Sequence, residues 1–371
     1  MINKIDEYFS KFMNQLVYVN LLESNDYIDK DIPLPVLEKD LLDGVKNNDF
    51  VKNFDLELII KGMIYNIAYD RTFKYCVNYT DIMYNIFPDI EKSIISMGVE
   101  KISDPKEAVI YFRTNDILKS DIADNAYYYA YCLRLMALED EFNSSIFIEE
   151  AFRVLNENVA NFPDFFLNYV ELANLELLNH NYIKAYDYLK NTHKMATSPN
   201  DYDEKRVLIV INEVERLMED IKPLRDLDFA TTLINSKPQK ALEIFRELEK
   251  TSRIVYLMGK CYLNLNDLDK AIEYFEKAES MGFDHVDLYN DMSVAYFNDY
   301  DFEKSIQVLN RGLKIHKDNE ILLYNKAVIE LNSNRVAKAK DTLSTLVSYD
   351  DVHEDIFNMA MQLLQKIEED N

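Results

Sequence analysis

The chain has 371 residues, of which 48% are hydrophobic and 29% charged, a globular balance that argues against long disordered segments. Its 41 basic and 66 acidic residues give a net charge of −25, which repels phosphate backbones and anionic lipids, so neither nucleic acid nor a membrane is an expected partner. With 6 Gly and 8 Pro, the composition favours an all-α fold over folds that need these residues in turns and phosphate loops.

The first twenty residues and the cysteines indicate in which cellular compartment the protein is expected. Charged side chains appear from Lys4 onward, so the first twenty residues lack the apolar core of a signal peptide. Cys76, Cys132 and Cys261 are far apart and odd in number, as expected of buried free thiols in reducing surroundings. We therefore expect a cytoplasmic protein. Abundant Ile, Lys, Asn and Tyr, with no Trp, point to a low-GC bacterium.

Residues 1–120 have helical patterns without a clean repeat. Apolar stripes run through 56–68 and 79–87, and Asp104-Pro105-Lys106-Glu107 has the N-cap, first-turn Pro and capping-box Glu of a helix start. The sequence Ile32-Pro33-Leu34-Pro35 indicates a break or linker. We predict a helical N-terminal region, with degenerate repeats as an open alternative.

A loose period is visible from residue 121 to residue 199. In the unit at 166–199, a small residue is followed by another after twelve positions and by a large apolar one after four more. These are Ala173, Ala185 and Leu189. Because Ala151 lies 34 residues before Ala185, we predict a further unit with a longer first helix over 124–163.

The stretch 201–250 does not keep this period. Two prolines interrupt its helical pattern, and helix breaks are expected at Lys222-Pro223 and Lys237-Pro238. Ala241 has the surroundings of a repeat's second helix but precedes Ala271 by only 30 residues. We predict an irregular part of the array here.

Three segments of 34 residues then follow one another without a gap, at 252–285, 286–319 and 320–353. Each has small residues at its eighth and twentieth positions and a large apolar residue at its twenty-fourth. These are Gly259, Ser293 and Ala327; Ala271, Ser305 and Ala339; and Phe275, Leu309 and Leu343. Small residues let the helices of a hairpin, and then neighbouring hairpins, approach closely, which predicts a stack of helical hairpins. Their intra-hairpin turns are expected at Asn266-Asp267, Tyr300-Asp301 and Asn332-Ser333-Asn334.

This pattern resembles the tetratricopeptide repeat (TPR) family, clearly over 252–353, also over 124–199, and not over 1–120. The resemblance implies an all-α, right-handed α-α superhelix, a TPR-like solenoid spanning 121–371. The third copy departs from the family at Lys326 and Glu330, where apolar residues are preferred, as in a splayed or terminal repeat. An apolar stripe beyond it predicts a C-terminal capping helix over 354–369.

No arrangement of residues signals catalysis. Every Gly is isolated, so no phosphate loop is present, and the five His residues and three Cys residues are not at metal-binding spacings. We therefore expect a protein that is not an enzyme and has no cofactor and no metal.

The resemblance also implies that a groove lined by the first helices contacts a partner. The groove residues carried over to this chain are Asn174, Tyr256, Lys260, Asn290, Phe297 and Tyr324. Their amides suit an extended peptide and their rings supply flat contact area, but the alternative is that the tyrosines pack against neighbouring helices. Chaperone-binding members of the family hold a terminal carboxylate with Lys, Asn and Arg, and that set is not present. The corresponding residues here are Tyr256, Lys260, Asp291, Ile321 and Asn325.

These observations favour a non-catalytic adaptor or scaffold whose groove binds another protein or a peptide. A second hypothesis is a peptide-sensing regulatory protein that resembles the quorum-sensing repeat proteins of Gram-positive bacteria but lacks a DNA-binding domain. Self-association through the edge repeat is a further alternative.

Overall fold

The computed structural model describes residues 3–21, 23–24, 27–46, 56–198 and 202–369. These contain nineteen α-helices and two short β-strands. The chain divides into two compact units, residues 1–220 and 221–371. The predicted all-α class, with a helical N-terminal region and a C-terminal helix, is confirmed.

Ten helices belong wholly to the first unit. They are α1 Lys4–Ser10, α2 Glu38–Lys46, α3 Leu56–Tyr69, α4 Cys76–Ile86, α5 Ile90–Glu100, α6 Pro105–Ile117, α7 Ala123–Glu139, α8 Ser144–Asn161, α9 Leu167–Leu178 and α10 Tyr182–Ala196. One apolar core extends from Ile5 in α1 to Leu175 in α9. The rings of Phe112 in α6 and Tyr128 in α7 stack with their centroids 5.3 Å apart. The core therefore continues across residue 120, where a division was predicted from the sequence pattern.

A two-stranded hairpin replaces the break predicted at residues 32–35. Strand β1, Leu16–Val19, pairs antiparallel with β2, Leu34–Leu37, with Tyr18 opposite Pro35. Pro35 is tolerated because both strands of a two-stranded sheet are edge strands, which have free positions for a residue without an N–H. All four residues of β2 are buried, so this segment belongs to the core and the prediction of a linker is wrong.

The helix start predicted at Asp104 is confirmed. The Asp104 side chain accepts hydrogen bonds from the backbone N–H groups of Lys106 (3.1 Å) and Glu107 (3.2 Å). Glu107 does not complete a capping box. Its carboxylate instead accepts a hydrogen bond from the hydroxyl of Tyr65 in α3 (3.3 Å).

Helix α11, Glu204–Leu233, contains the boundary between the two units and runs through Pro223. The break predicted at Lys222-Pro223 is therefore wrong. Pro removes one hydrogen bond from a helix interior, but buried neighbours on both sides, Ile221 and Ala230, supply packing that holds the segment helical. The break predicted at Pro238 is correct, because α12, Pro238–Glu247, begins with this residue.

The second unit continues as three helical hairpins and a final helix. These are α13 Ser252–Asn264 with α14 Leu268–Ser280, α15 Val286–Asn298 with α16 Phe302–Ile315, α17 Glu320–Asn332 with α18 Val336–Val347, and α19 Glu354–Glu369. One residue of each hairpin turn has a left-handed backbone: Asn266 (φ 58°), Tyr300 (φ 63°) and Asn334 (φ 60°). These residues recur every 34 positions and lie in the turns predicted from the sequence.

The third copy is a packed hairpin, not a splayed one. Ala327 and Leu343 are fully buried, and α19 packs on this hairpin through Ala360 and Ile367. Glu330, where the family prefers an apolar residue, is 3% exposed and accepts a hydrogen bond from Thr342 Oγ1 at 2.8 Å. A matched polar pair within the hairpin thus replaces the apolar contact.

Candidate functional site

The candidate site is the side of α13, α15 and α17 that the second helices of the hairpins leave partly uncovered. We call it the first-helix face. Its half-buried side chains are Lys260, Leu263, Asn290, Asp291, Val294, Phe297, Tyr324, Asn325 and Val328. They combine apolar, amide and charged groups on three consecutive helices.

Asp291 is the centre of the polar contacts on this face. Its Oδ2 accepts a hydrogen bond from the hydroxyl of Tyr256 (2.7 Å) and lies 3.3 Å from Nζ of Lys260. Tyr256 and Lys260 lie on α13 and Asp291 on α15, so these contacts join two consecutive first helices. The side chain of Asp291 is 14% exposed and that of Lys260 is 34% exposed, which leaves the ammonium group accessible.

Two asparagines extend the polar contacts to the third hairpin. The side-chain amide of Asn325 donates to Oδ1 of Asn290, and the amide of Asn290 approaches Oδ1 of Asp291 at 3.4 Å. The side-chain oxygen of Asn325 receives no hydrogen bond from the described residues, and each amide has a second N–H. The first-helix face therefore has donors and an acceptor available for a ligand.

Tyr256 lies in the core, at odds with its assignment to the groove surface. It is 5% exposed, its ring stacks on Phe283 with centroids 4.8 Å apart, and it contacts the ring of Phe275 at 5.8 Å. Burial, followed by the nearby Asp291, raises the pKa of its hydroxyl well above the usual 10.0. Tyr256 thus positions Asp291 and offers almost no surface of its own, in line with the alternative of tyrosines packed against neighbouring helices.

The other groove residues predicted in the second unit are accessible. Phe297 is half-buried, with its ring 5.4 Å from that of Phe302, and Tyr324 is half-buried at the edge of the apolar cluster formed by α17, α18 and α19. Lys260, Asn290, Phe297 and Tyr324 all lie on the first-helix face. Their contact with a partner stays a prediction.

The first unit has a comparable arrangement around the predicted residue Asn174 of α9. The amide of Asn174 donates to Glu171 Oε2 (3.1 Å), and Glu171 is held by the guanidinium of Arg134 on α7. Glu171 is 1% exposed. It is the sixth residue of the 166–199 unit, as Asp291 is the sixth of 286–319. One repeat in each of the two compact units thus has an acid at its sixth position that pairs with a cation of the preceding first helix.

Sequence reasoning missed the importance of Asp291, Glu171 and Arg134. The available signal was an acidic residue at the sixth position of a repeat, combined with Lys or Arg on the preceding first helix. Within the described ranges, no three side chains of His, Cys, Asp or Glu are grouped so as to hold a metal ion. None of the helices described has the length and apolar character required to cross a membrane.

The tetratricopeptide repeat family matches residues 252–281, which comprise α13, its turn and α14. No curated protein sequence matches the chain. Similar solved structures include the TPR2AB-domain:pHSP90 complex of yeast Sti1, at 13% identity over 76% of this chain and 99% of that chain, with a TM-score of 0.29. YrrB, a TPR protein with an unusual peptide-binding site, is 18% identical over 57% of this chain and 96% of its own, with a TM-score of 0.30. A tetratricopeptide repeat protein from Parabacteroides merdae is 12% identical over 75% and 98%, with a TM-score of 0.33.

The matched segment is the first of three hairpins in the second unit. The two hairpins that follow keep its period of 34 residues, its small residues and its left-handed turn residue. The second unit therefore contains a tetratricopeptide repeat at residues 252–281, followed by two hairpins built on the same pattern.

Proposed function

We propose that the protein is an adaptor whose first-helix face binds an extended segment of another polypeptide. The observation that carries this proposal is the row of polar contacts from Lys260 through Asp291 and Asn290 to Asn325, bordered by half-buried apolar side chains. An extended peptide has alternating N–H and C=O groups and side chains on alternate sides, and such a surface matches both features.

The polar groups of this face are held in place before a ligand arrives. Tyr256 and Lys260 fix the carboxylate of Asp291, and Asn290 and Asn325 fix each other. Ordering a loose side chain on binding costs about 0.5 to 1.5 kcal/mol, so groups that are already ordered favour affinity. Asn325 then offers its side-chain oxygen to a backbone N–H of the ligand, and the second N–H of an amide pairs with a backbone carbonyl.

The negative charge of Asp291 argues against a ligand with a free C-terminal carboxylate. A terminal carboxylate at this face would meet Asp291, which lies at the position where chaperone-binding repeats of the family have an amide. Like charges at close range in a partly buried site repel strongly. We therefore expect an internal segment with apolar side chains for the surroundings of Val294 and Phe297, not a free C-terminus.

A peptide selection tests the proposal. Random peptides displayed on phage would be selected on the intact protein, and the affinity of the best synthetic peptide would be measured by isothermal titration calorimetry. The triple variant Lys260→Ala, Phe297→Ala, Tyr324→Ala is expected to weaken binding by at least about tenfold, because a few central contacts carry most of the binding energy and a loss of about 1.4 kcal/mol is already tenfold. The matched control is Gln307→Ala, Asn310→Ala, Lys314→Ala, which removes three exposed side chains from α16 of the middle hairpin. Equal affinities of the two variants would reject the face.

The same peptides separate an adaptor from a peptide sensor. An adaptor should lose most of its affinity when the selected peptide is shortened to a few apolar residues, because the row of polar contacts spans three helices. A sensor should bind the short form as tightly as the long one. Light scattering on the same samples tests the alternative of self-association.

A further inference from the structure

A charged cavity of about 610 Å³ lies inside the first unit and shares no residue with the first-helix face. Helices α1, α6, α7 and α8 and the loop between α6 and α7 border it. Its lining includes the charged and amide residues Asp6, Arg113, Asp116, Asn125, Glu150 and Arg153. No feature of the sequence singled out these residues, which come from four separate helices.

The guanidinium groups of Arg113 and Arg153 in the cavity wall already donate hydrogen bonds to acceptors of the protein. Arg113 is 2% exposed and donates to the backbone oxygen of Ala68 (2.8 Å), to the hydroxyl of Tyr129 (3.1 Å) and to Asp6. Arg153 donates to Asp116 (2.6 Å), to both oxygens of Glu150 (2.8 Å each) and to Glu157 (2.8 Å). An anion that approached Arg113 or Arg153 would have to displace one of these carboxylates, so an anionic ligand is disfavoured at these two arginines.

Acceptors, by contrast, are in excess. The cavity lining has five carboxylates and four cations, which are Asp6, Asp116, Asp121, Glu150 and Glu157 against Arg71, Arg113, Lys119 and Arg153. Asp116 uses Oδ2 for Arg153, and its Oδ1 receives no hydrogen bond from the described residues. Burial, followed by the negative charges of Glu150 and Glu157, raises the pKa of Asp116 even though Arg153 opposes the shift. The side chain of Asp116 is 23% exposed, so Oδ1 is left for a further donor such as a positively charged ligand.

Asn125 adds a second acceptor. It is 4% exposed, its amide donates to the backbone oxygen of Phe112 (3.0 Å), and its Oδ1 has no hydrogen-bond partner among the described residues. That donation fixes which end of the side chain is the oxygen. A buried acceptor without a donor is unfavourable, so a ligand that donates here would gain affinity from satisfying it.

The remaining wall is apolar. The aliphatic and aromatic residues that line the cavity are Ile117, Ile122, Ala126, Val154 and Phe162. A ligand with a compact positive end and a hydrocarbon stem would match both parts of the cavity.

We propose that this cavity binds a primary alkylammonium group, with its N–H donors directed to Asp116 and Asn125 and its stem against Ile117 and Val154. Two sources share this chemistry: the lysine side chain of a partner protein and a free alkyl diamine. The proposal is independent of peptide binding at the first-helix face.

Calorimetric titration of the intact protein tests the proposal. The probes are 1,5-diaminopentane for the free amine and Nα-acetyl-lysine N-methylamide for the lysine side chain. The neutral partners of these probes are 1-pentanol and the Nε-acetylated lysine derivative. We expect both amines, or one of them, to bind and the neutral compounds not to bind. Tighter binding of the lysine derivative would identify the ligand as the lysine side chain of a partner protein. Tighter binding of the diamine would identify it as a free amine. Absence of binding by both amines, or equal binding of the neutral compounds, overturns the proposal.

Variants locate the binding site. Asp116→Asn should weaken amine binding by about tenfold or more, as expected for loss of a charged hydrogen bond. Glu149→Gln is the matched control, because Glu149 is an exposed carboxylate of α8 that does not line the cavity, and it should change the affinity by less than about threefold. Ala126→Leu reduces the cavity and leaves every ion pair intact, so it should also weaken binding if Asp116→Asn does not fold. Equal effects of Glu149→Gln and Asp116→Asn, or unchanged affinity in Ala126→Leu, would contradict the assignment.

Discussion

Gly259 of α13 lies directly against the ring of Phe275 in α14. A Cβ atom added to Gly259 would be 2.7 Å from Cδ1 of Phe275, and the ring is fully buried and has no room to move. These residues are the eighth and twenty-fourth of the first 34-residue copy. The spacing of a small and a large residue in the sequence therefore corresponds to a tight contact between the two helices of the hairpin.

Gly259→Val is predicted to destabilise the second unit by about 1 to 3 kcal/mol, because overpacking displaces a buried ring. Urea unfolding followed by circular dichroism measures the change. Ala337→Val, at an exposed position of α18, adds a β-branched side chain without a clash and should cost under about 1 kcal/mol. Equal stabilities of the two variants would show that the contact with Phe275 is not tight.

Tyr300→Asn is predicted to stabilise the protein. Tyr300 has φ 63° and is 83% exposed, so it adopts a left-handed backbone with little packing in return. Asn tolerates this conformation better and occupies the equivalent turns at 266 and 334. We expect a gain of up to about 1 kcal/mol, seen as a higher melting temperature. The reciprocal variant Asn266→Ala should lower it, and a lower melting temperature for Tyr300→Asn would contradict the prediction.

The contact between Tyr256 and Asp291 is predicted to couple α13 to α15. In a double-mutant cycle of Tyr256→Phe and Asp291→Ala, we expect a coupling free energy of about 1 to 2 kcal/mol for a hydrogen bond to a carboxylate with little exposure. Lys260→Met removes a more exposed partner of Asp291 and should cost less than about 1 kcal/mol. A coupling free energy near zero would show that Tyr256 does not position Asp291.

Cys76 is predicted to be a slow nucleophile in the folded protein. Burial, followed by the charge of Asp70, raises the pKa of its thiol from 9.0 to about 11. Since the thiolate is the reactive form, alkylation by iodoacetamide at pH 8 should be roughly a hundredfold slower than in the urea-unfolded chain. The protonated thiol is favoured in the fold, so its contribution to stability is present below pH 9 and is lost as the pH rises through about 11. Equal rates in folded and unfolded protein would contradict the shift.

The sequence predicted the hairpins of the second unit well because their determinants are local. Each of these determinants makes its contacts within one hairpin or between neighbouring hairpins. They are the small residues at 259, 271, 293 and 305 and the turn residues at 266, 300 and 334. The packing of such a residue can therefore be predicted from its position in the 34-residue repeat. The same holds for the start of α6, where Asp104 caps the helix that it precedes.

Features that depend on distant residues were not predicted. Pro223 continues α11 because of buried neighbours, and Pro35 lies in a strand whose partner is supplied by residues 16–19. The burial of Tyr256 depends on Phe283 as well as on its own hairpin. The charged cavity is formed by residues as distant as Asp6 and Arg153, and no local pattern records their proximity.

Site-specific photo-cross-linking tests the central claim most directly. The photoreactive amino acid p-benzoylphenylalanine would replace Val294 on the first-helix face or Gln307 on α16, and each protein would be irradiated with the selected peptide. We predict a cross-linked product from position 294 and only background from position 307. Equal yields from both positions, or a product from position 307 alone, would show that the peptide does not bind the first-helix face.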